Sequence, residues 1–180
     1  RKGDIYWCTA DVGWITGHSY IIYGPLLNCA TTLIFEGIPT WPNAGRFWEI
    51  CDKYSVNQFY TAPTAIRSLM ALGNKWVESA SLKTLKVIGS VGEPINKEAW
   101  DWYEKLVGRS NCPIVDTWWQ TETGGIMISG LGDINEQRAT FAGLPLPGIH
   151  PVILDVNGIE ISDDGIEGHL CIKFPWPSML

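Results

Sequence analysis

The side chains best suited to chemistry lie in residues 116–124, directly after a predicted strand. Gln120, Thr121, Glu122 and Thr123 can all form hydrogen bonds through their side chains. A threonine hydroxyl beside a carboxylate suits phosphate and Mg²⁺, because Mg²⁺ is usually held by one or two carboxylates together with phosphate oxygens. The segment is therefore a candidate site for a phosphorylated ligand and its metal ion.

Two adjacent tryptophans, Trp118 and Trp119, precede these polar residues. Successive side chains of a strand point to opposite faces of the sheet. At least one of the two indoles is therefore expected to line the loop that follows the strand, rather than to pack in the core.

A glycine-containing segment at residues 13–19 is a weaker candidate. Gly13 and Gly17 flank Thr16 and precede His18, an arrangement in which the backbone can turn tightly and present amides and a hydroxyl. Spacing alone favours a strand-to-helix turn here over contact with a small ligand.

A second glycine-containing segment, residues 87–94, runs from a predicted buried strand into a bend. Gly89 and Gly92 would let a planar ligand lie against the backbone, because glycine has no side chain to prevent it. Neither of the phosphate-loop patterns GxGxxG and GxxxxGK(S/T) occurs in the chain. Taken alone, the segment is more typical of an ordinary turn than of a binding site.

Alternating strands and helices are predicted to position these segments. Predicted strands cover residues 4–8, 31–35, 56–60, 85–89 and 113–117, and predicted helices cover 18–29, 43–54, 63–72 and 97–107. We expect Pro25 to kink the first helix, Asn43 and Asn96 to cap the second and last, and Pro63 to occupy a first turn. The alternation indicates an α/β fold with a mostly parallel sheet and helices on both faces. Ligands of such sheets bind at the carboxyl ends of the strands.

The pattern changes after about residue 125. Predicted strands cover residues 126–128, 151–155, 159–161 and 169–173, and Asn157-Gly158 is a typical hairpin turn. We therefore predict two parts, an α/β subdomain over residues 1–125 and an incomplete β-rich subdomain over residues 126–180.

Composition excludes several classes of protein. The chain has 180 residues, 46% of them hydrophobic and 18% charged, which indicates a globular protein of ordinary domain size. No apolar stretch reaches the roughly 18 residues of a membrane span. A net charge of −6 with no cationic run argues against a nucleic-acid partner. Five scattered cysteines are typical of reduced thiols in a cytoplasmic protein. Because the sequence starts without methionine, we expect it to be a piece of a longer polypeptide.

The motif DTWWQTETG at residues 116–124 resembles a signature of the AMP-forming acetyl-CoA synthetases, a family of the acyl-adenylate-forming superfamily. Further similar stretches are DIYWCTADVGW at residues 4–14, YTAPTAIR at 60–67, SVGEPIN at 90–96 and PWPSM at 175–179. The resemblance covers essentially the whole chain, as an internal fragment of the family's large N-terminal domain. It implies a ligase that joins acetate to ATP, releases pyrophosphate and transfers the acetyl group to CoA.

The resemblance also implies roles for individual residues. Those expected to bind the nucleotide are Gly92, Glu93, Pro94, Asp116, Thr117, Trp118, Trp119, Gln120 and Thr121. Glu122 resembles the acid linked to Mg²⁺. Thr16 and Thr40 correspond to contacts on the CoA side, and Thr40 stands where many relatives have asparagine.

A small acyl pocket is expected between Ile15, Thr16, Val91 and Trp119. Relatives that accept long acyl chains tend to have glycine at the position of Trp119, so an indole there leaves room only for a very short acid. Some propionate activity is still expected, because one methylene changes binding by only about 1–3 kcal/mol.

The resemblance places no catalytic residue in this segment. The family's phosphate loop, its ribose-binding aspartate and the C-terminal domain with the catalytic lysine are expected to lie outside it. The isolated chain is therefore expected to be inactive. Its expected partners are acetate, ATP and CoA, together with the remaining N- and C-terminal parts of its own polypeptide, and include neither nucleic acid nor a membrane.

Other functions stay open at this point. Propionyl-CoA synthetase is the runner-up, because it shares the double tryptophan in related form. A fragment that binds nucleotide without turnover is a second alternative. The ten tryptophans also suggest a carbohydrate-binding module, but Trp48, Trp100 and Trp102 fall on predicted helices, which argues against it.

Overall fold

Seven strands form one sheet in the computed structural model, which describes residues 2–179. Arg1 and Leu180, the outer ends of the two predicted subdomains, lie outside the described residues. In chain order the strands are β1 (Ile5–Cys8), β2 (Thr31–Leu33), β3 (Gln58–Thr61), β4 (Val87–Ser90), β5 (Ile114–Trp118), β6 (Ile128–Ser129) and β7 (Leu144–Pro145). Their spatial order is β2-β1-β3-β4-β5-β6-β7.

The first five strands pair in parallel, and β6 and β7 are added antiparallel at one edge. This arrangement confirms the predicted mostly parallel sheet. The chain leaves β1 for β2 on one side and returns to β3 on the other, so the direction of winding reverses between β1 and β3. Ligands of doubly wound sheets bind at this switch point, beyond the carboxyl ends of the strands.

Five helical segments connect and cover the strands. The first, called α1 here, runs over residues 15–27 as Ile15–Gly17, a π-helical His18–Tyr23 and Gly24–Leu27. The others are α2 (Arg46–Lys53), α3 (Pro63–Ala71), α4 (Lys75–Glu78) and α5 (Lys97–Trp102), which continues as a π-helical Tyr103–Val107. Short 3₁₀ turns follow at Thr121–Thr123 and Gly132–Ile134.

Helices lie on both faces of the sheet, as predicted. On one face α2, α3, α4 and α5 enclose the main core, which includes Trp7, Phe59, Ile88 and Ile114 from the strands. On the other face α1 covers a smaller cluster. The alternation of side chains along β1 and β3 explains the division, because successive residues point to opposite faces.

Two predicted helix caps are corrected by the structure. The second helix begins at Arg46 instead of residue 43, and the Asn43 side chain accepts a hydrogen bond from Gly45 N (2.7 Å) in the turn before it. Asn96 does precede α5 with an extended backbone, but its side chain makes no capping hydrogen bond. Pro63 occupies the first turn of α3, as predicted.

The predicted β-rich region separates into two sets of strands. β6 and β7 belong to the large sheet, whereas β8 (Pro151–Leu154), β9 (Glu160–Ile161) and β10 (His169–Ile172) form a three-stranded antiparallel sheet. The Asn157-Gly158 turn joins β8 to β9, and the Asp155 carboxylate accepts hydrogen bonds from the amides of Asn157 and Ile159 (2.8 Å each). A subdomain boundary near residue 125 stays a prediction.

None of the helices in residues 2–179 is long and apolar enough to cross a membrane.

Phe59 occupies the centre of the main core, and its loss provides a direct test of the packing. The ring is 1% exposed and lies 5.2 Å from Trp7 and 5.9 Å from both Phe47 and Trp48, measured between ring centroids. Phe59→Ala should lower the free energy of unfolding by about 3–5 kcal/mol, because it leaves a cavity. Urea unfolding measures the change.

The matched control is Phe141→Ala, since that ring is 53% exposed and the Arg138 guanidinium lies over it, 4.5 Å from its centroid. We expect its loss to cost about 1 kcal/mol or less. Equal losses for the two variants would contradict the central position of Phe59.

Candidate active site

A cavity of about 600 Å³ lies beyond the carboxyl ends of the central strands. Its wall is formed by residues that follow four parallel strands: Ala10 after β1, Ala62 after β3, Val91 after β4 and Trp119 after β5. The cavity therefore spans the switch point between β1 and β3, where the winding direction predicts a ligand.

All four residues of the predicted acyl pocket line this cavity. Ile15 and Thr16 come from the first turn of α1, and Val91 and Trp119 come from the ends of β4 and β5. Thr121 and Glu122 line it as well. The structure thus brings together two segments that are about 100 residues apart in the chain.

A second cavity, of about 540 Å³, adjoins the first. It is lined by eight of the nine predicted nucleotide contacts, namely Gly92, Glu93, Pro94, Asp116, Thr117, Trp118, Trp119 and Gln120. The ninth, Thr121, lines the 600 Å³ cavity instead. Gly92, Trp119 and Gln120 line both cavities, so the two spaces meet at these residues.

The far wall of the second cavity comes from residues that the sequence did not single out. They are Ile128 of β6, then Thr140, Phe141, Ala142 and Gly143, before β7, and Leu170 of β10. Phe141 is an aromatic residue on an irregular segment, and that was the only signal available in the sequence.

Thr40 is the one predicted site residue that lies in neither cavity. Its side chain is exposed in the loop between β2 and α2. Thr16, the other residue predicted to contact CoA, lines the 600 Å³ cavity.

Parallel register aligns the polar residues at the base of the site. Thr61, Ser90 and Asp116 are direct neighbours across β3, β4 and β5, and all three are buried. Burial raises the pKa of the Asp116 carboxyl, which also accepts a hydrogen bond from Thr117 N (3.0 Å). The Asp116 side chain is therefore held in one position at the edge of the second cavity.

The Thr117 hydroxyl forms its hydrogen bonds with other residues of the protein. It donates a hydrogen bond to the Ser90 carbonyl oxygen (2.8 Å) and lies 2.6 Å from the Tyr60 hydroxyl. These bonds tie the ends of β3, β4 and β5 together below the two cavities.

Glu93 anchors the loop after β4 to helix α3. Its carboxylate accepts hydrogen bonds from the Thr64 hydroxyl and from Arg67 Nη2, which is 3.0 Å away. The bond from Thr64, followed by the bond and charge of Arg67, lowers the pKa of Glu93. The carboxylate therefore stays charged over the neutral range and fixes Gly92 and Pro94 on either side of it.

A short 3₁₀ turn, Thr121–Thr123, presents Glu122 to the first cavity. The turn is fixed by Thr123, whose hydroxyl accepts a hydrogen bond from Gln120 N (3.0 Å) and lies within hydrogen-bond distance of the Gln120 and Gly125 carbonyl oxygens. Glu122 itself is exposed and forms no side-chain hydrogen bond or ion pair with the residues that the structure describes.

The end of the described chain crosses over this turn. Residues 175–179, called the strap here, contribute two hydrogen bonds to the Thr123 carbonyl oxygen, from Trp176 Nε1 (2.9 Å) and Ser178 Oγ (3.1 Å). Gly124 follows with φ +68°, and a Cβ at this position would collide with the Ser178 carbonyl oxygen. The turn that carries Glu122 is thus enclosed by a segment more than 50 residues further along the chain.

These features define a doubly wound α/β domain with a two-part ligand site at the carboxyl edge of its sheet. A family model described as "AMP-binding enzyme" matches residues 1–179. The chain belongs to this family of AMP-binding enzymes.

Curated relatives and a solved structure are similar to this chain. It is 62% identical over 180 residues to the acetyl-coenzyme A synthetase of Methylorubrum extorquens (strain PA1), and 60% identical over 181 residues to that of Leptospira biflexa serovar Patoc. The whole chain is matched in each case, and it spans about 28% of the length of each relative. The crystal structure of a Brucella canis acyl-CoA synthetase matches 96% of this chain and 30% of its own, with a TM-score of 0.83 and 34% identity.

Gly124→Ala tests whether the strap fixes the turn. The substitution should lower the free energy of unfolding by about 2 kcal/mol or more, because a left-handed backbone alone costs a non-glycine residue about 1–2 kcal/mol and the collision with Ser178 adds to it. The strap should also become accessible to proteases.

Gly125→Ala is the matched control, since the nearest atoms to a Cβ there are 3.5 Å away and its φ is not positive. We expect small effects from it. Identical stability and protease cleavage of the two variants would show that the strap does not restrain the turn.

Proposed function

We propose that the protein containing this chain activates acetate with ATP and transfers the acetyl group to CoA. One observation supports this most strongly: the four predicted acyl-pocket residues line one cavity, and it adjoins a second cavity lined by eight of the nine predicted nucleotide contacts. The similar proteins of Methylorubrum extorquens and Leptospira biflexa are named acetyl-coenzyme A synthetase. The proposal concerns the whole protein, because this chain spans about 28% of the length of those relatives.

The first chemical step would take place where the two cavities meet. A carboxylate oxygen of acetate attacks the α-phosphorus of ATP, a new P–O bond forms, and the bond to pyrophosphate breaks. Gly92, Trp119 and Gln120 line both cavities and would therefore surround the reacting atoms. Holding the two reactants in contact is itself a large part of catalysis, because it removes the entropy cost of bringing them together.

The base and ribose of the nucleotide would occupy the 540 Å³ cavity, and its phosphates would reach Thr121 and Glu122 in the 600 Å³ cavity. We propose that the Asp116 carboxyl accepts a hydrogen bond from the amino group of adenine, and that the loop of Gly92, Glu93 and Pro94 lies against the base and ribose. The hydrogen bonds from Thr64 and Arg67 to Glu93 would hold that loop in place before the nucleotide binds. Pre-organisation of this kind improves affinity because little order has to be gained on binding.

The residues present fit a magnesium ion held together with a nucleotide. Mg²⁺ prefers one or two carboxylates together with phosphate oxygens and water. Glu122 is exposed, faces the 600 Å³ cavity and has no partner among the described side chains. The described residues contain no cluster of three or more His, Cys, Asp or Glu that could bind a metal ion without phosphate. We propose Glu122 as the protein ligand, and a bound ion there would neutralise phosphate charge.

In the second step the CoA thiol would attack the acetyl carbonyl of acetyl-AMP, form the thioester and release AMP. Thr16 lines the acyl cavity and is proposed as a contact on the CoA side. A role for Thr40 stays a prediction, since its exposed side chain lies outside both cavities.

Acid-dependent ATP–pyrophosphate exchange tests the proposal. The assay uses the complete protein with Mg²⁺ and compares acetate, propionate and butyrate. Fast exchange with acetate, weaker exchange with propionate and none with butyrate is the expected order. Preference for propionate would make propionyl-CoA synthetase the better assignment. No exchange with any acid, combined with AMP binding, would favour nucleotide binding without turnover and contradict the proposal.

The acid would occupy only the part of the 600 Å³ cavity between Ile15, Thr16, Val91 and Trp119, and the size limit there gives a separate prediction for Trp119. Trp119→Gly should shift preference from acetate to longer acids, because it removes the indole from the wall of the acyl cavity. Each added methylene that then fits should gain about tenfold or more in kcat/KM. Trp119→Phe keeps an aromatic ring and should shift the preference less. Strict acetate preference in the glycine variant would remove Trp119 from this role.

Arg67→Met tests the role of the charged Glu93. Loss of the guanidinium should raise the pKa of Glu93 towards its ordinary value of 4.5, because a hydrogen bond and a positive charge are removed. If the charged carboxylate holds the nucleotide loop, AMP affinity falls as the pH drops through that pKa. The acid-side loss of affinity should therefore begin at higher pH in the variant than in the wild type.

Calorimetric titration of AMP between pH 4 and 8 measures this shift in the complete protein. Arg46→Met is the control, because Arg46 lies over the Phe35 ring and lines neither cavity. Superimposable pH profiles for Arg67→Met and the wild type would show that Glu93 does not act through its charge.

A further inference from the structure

The Trp119 indole is held by two tyrosines, because its side chain lies beside the Tyr60 hydroxyl as well as against Tyr20. The ring of Tyr20, on the π-helical part of α1, lies 5.1 Å from the indole between centroids, with the two planes at 75°. Such edge-to-face pairs are favoured arrangements of aromatic rings. Tyr20 itself rests against Tyr60 of β3 in a second edge-to-face contact, with centroids 5.9 Å apart.

Tyr20 is held rigidly in this position. Its hydroxyl accepts a hydrogen bond from Ile126 N (2.9 Å), and the neighbouring Ser19 hydroxyl donates to the Gly124 carbonyl oxygen (3.1 Å). Helix α1 is thereby tied to the loop that follows the Glu122 turn. The ring can move away from the indole only if these bonds break.

Tyr20 also borders a further empty space. A cavity of about 170 Å³ is lined mainly by apolar groups, including Tyr6, Tyr60, Gly89 and Val115, together with Tyr20. Trp119 does not line it. Removal of the Tyr20 ring would therefore give the indole a space into which it could withdraw from the acyl cavity.

We propose that Tyr20 determines acyl specificity by holding the Trp119 indole forward against the acyl cavity. The inference rests on the proposed function and extends it, since it assigns the size limit to a pair of residues rather than to Trp119 alone. Tyr20 lines neither the acyl nor the nucleotide cavity, so it acts through Trp119 as a positioning residue.

The test uses the complete protein carrying Tyr20→Leu and measures ATP–pyrophosphate exchange with acetate, propionate and butyrate. Fitting one methylene in an apolar pocket changes kcat/KM by about 10- to 200-fold. We expect the acetate-to-propionate ratio of kcat/KM to fall by about tenfold in this variant, with most of the change in propionate KM. Tyr20→Phe keeps the ring but loses the hydrogen bond from Ile126 N, so the ratio should fall less than in Tyr20→Leu.

Tyr23→Leu is the matched control, because Tyr23 lies on the same helix, is 64% exposed and makes no ring contact with Trp119. It should leave the ratio unchanged. If Tyr20→Leu does not fold, Tyr20→Met carries the same expectation, because methionine is flexible and provides no rigid edge for the indole. An equal loss of activity with all three acids would overturn the proposal in favour of a purely structural role.

The double variant Tyr20→Leu/Trp119→Gly provides an independent check. Once the indole is absent, removal of Tyr20 should change the acid ratio little further, so the two effects should be strongly non-additive. Fully additive effects would overturn the proposal. Wild-type protein that exchanges with no acid would instead defeat the proposed function, whereas active wild type with an unchanged ratio in Tyr20→Leu would defeat only the role of Tyr20.

Discussion

The parallel register of β3, β4 and β5 is the constraint on which the whole site depends. It places Thr61, Ser90 and Asp116 side by side, so the loops after three strands begin at the same edge of the sheet. The Thr117 hydroxyl then bonds to Ser90 and Tyr60 and fixes the spacing of those strand ends. A slip of one residue in any of these strands would move the side chains of that strand to the opposite face and break the alignment.

Contacts from distant segments complete what the sheet begins. Helix α1 reaches the loop after the Glu122 turn through Ser19 and Tyr20, and the strap reaches the same turn through Trp176. The loop after β4 is tied to helix α3 through Glu93. The loop after β4 and the Glu122 turn are therefore restrained by elements outside them, which suits a site that must hold two reactants in contact.

Local patterns in the sequence predicted the elements that these contacts join. The alternation of apolar runs and amphipathic segments indicated the five parallel strands and most of the helices, with Pro63 as a correct boundary signal. The DTWWQTETG segment marked the Glu122 turn because four of its side chains are polar at the end of a buried strand. The cap predicted at Asn43 was wrong because its side chain stabilises the preceding turn, a choice that spacing alone cannot decide.

Features that depend on long-range contacts could not be predicted in this way. Tyr20 lies 106 residues from Ile126, and its contact with Trp119 follows from the packing of α1 on the sheet. The wall around Phe141 depends on the antiparallel addition of β6 and β7, two strands of only two residues each. No periodic pattern exists in segments that short.

The central claim is that two adjoining cavities hold the acid and the nucleotide, with Trp119 and Gln120 at their junction. A crystal structure of the complete protein with a non-hydrolysable alkyl ester of AMP tests it most directly, because this single ligand carries both groups. The account predicts the adenine beside Glu93 and Asp116 and the alkyl group against Trp119. An adenine bound outside the 540 Å³ cavity, or an alkyl group directed away from Trp119, would contradict it.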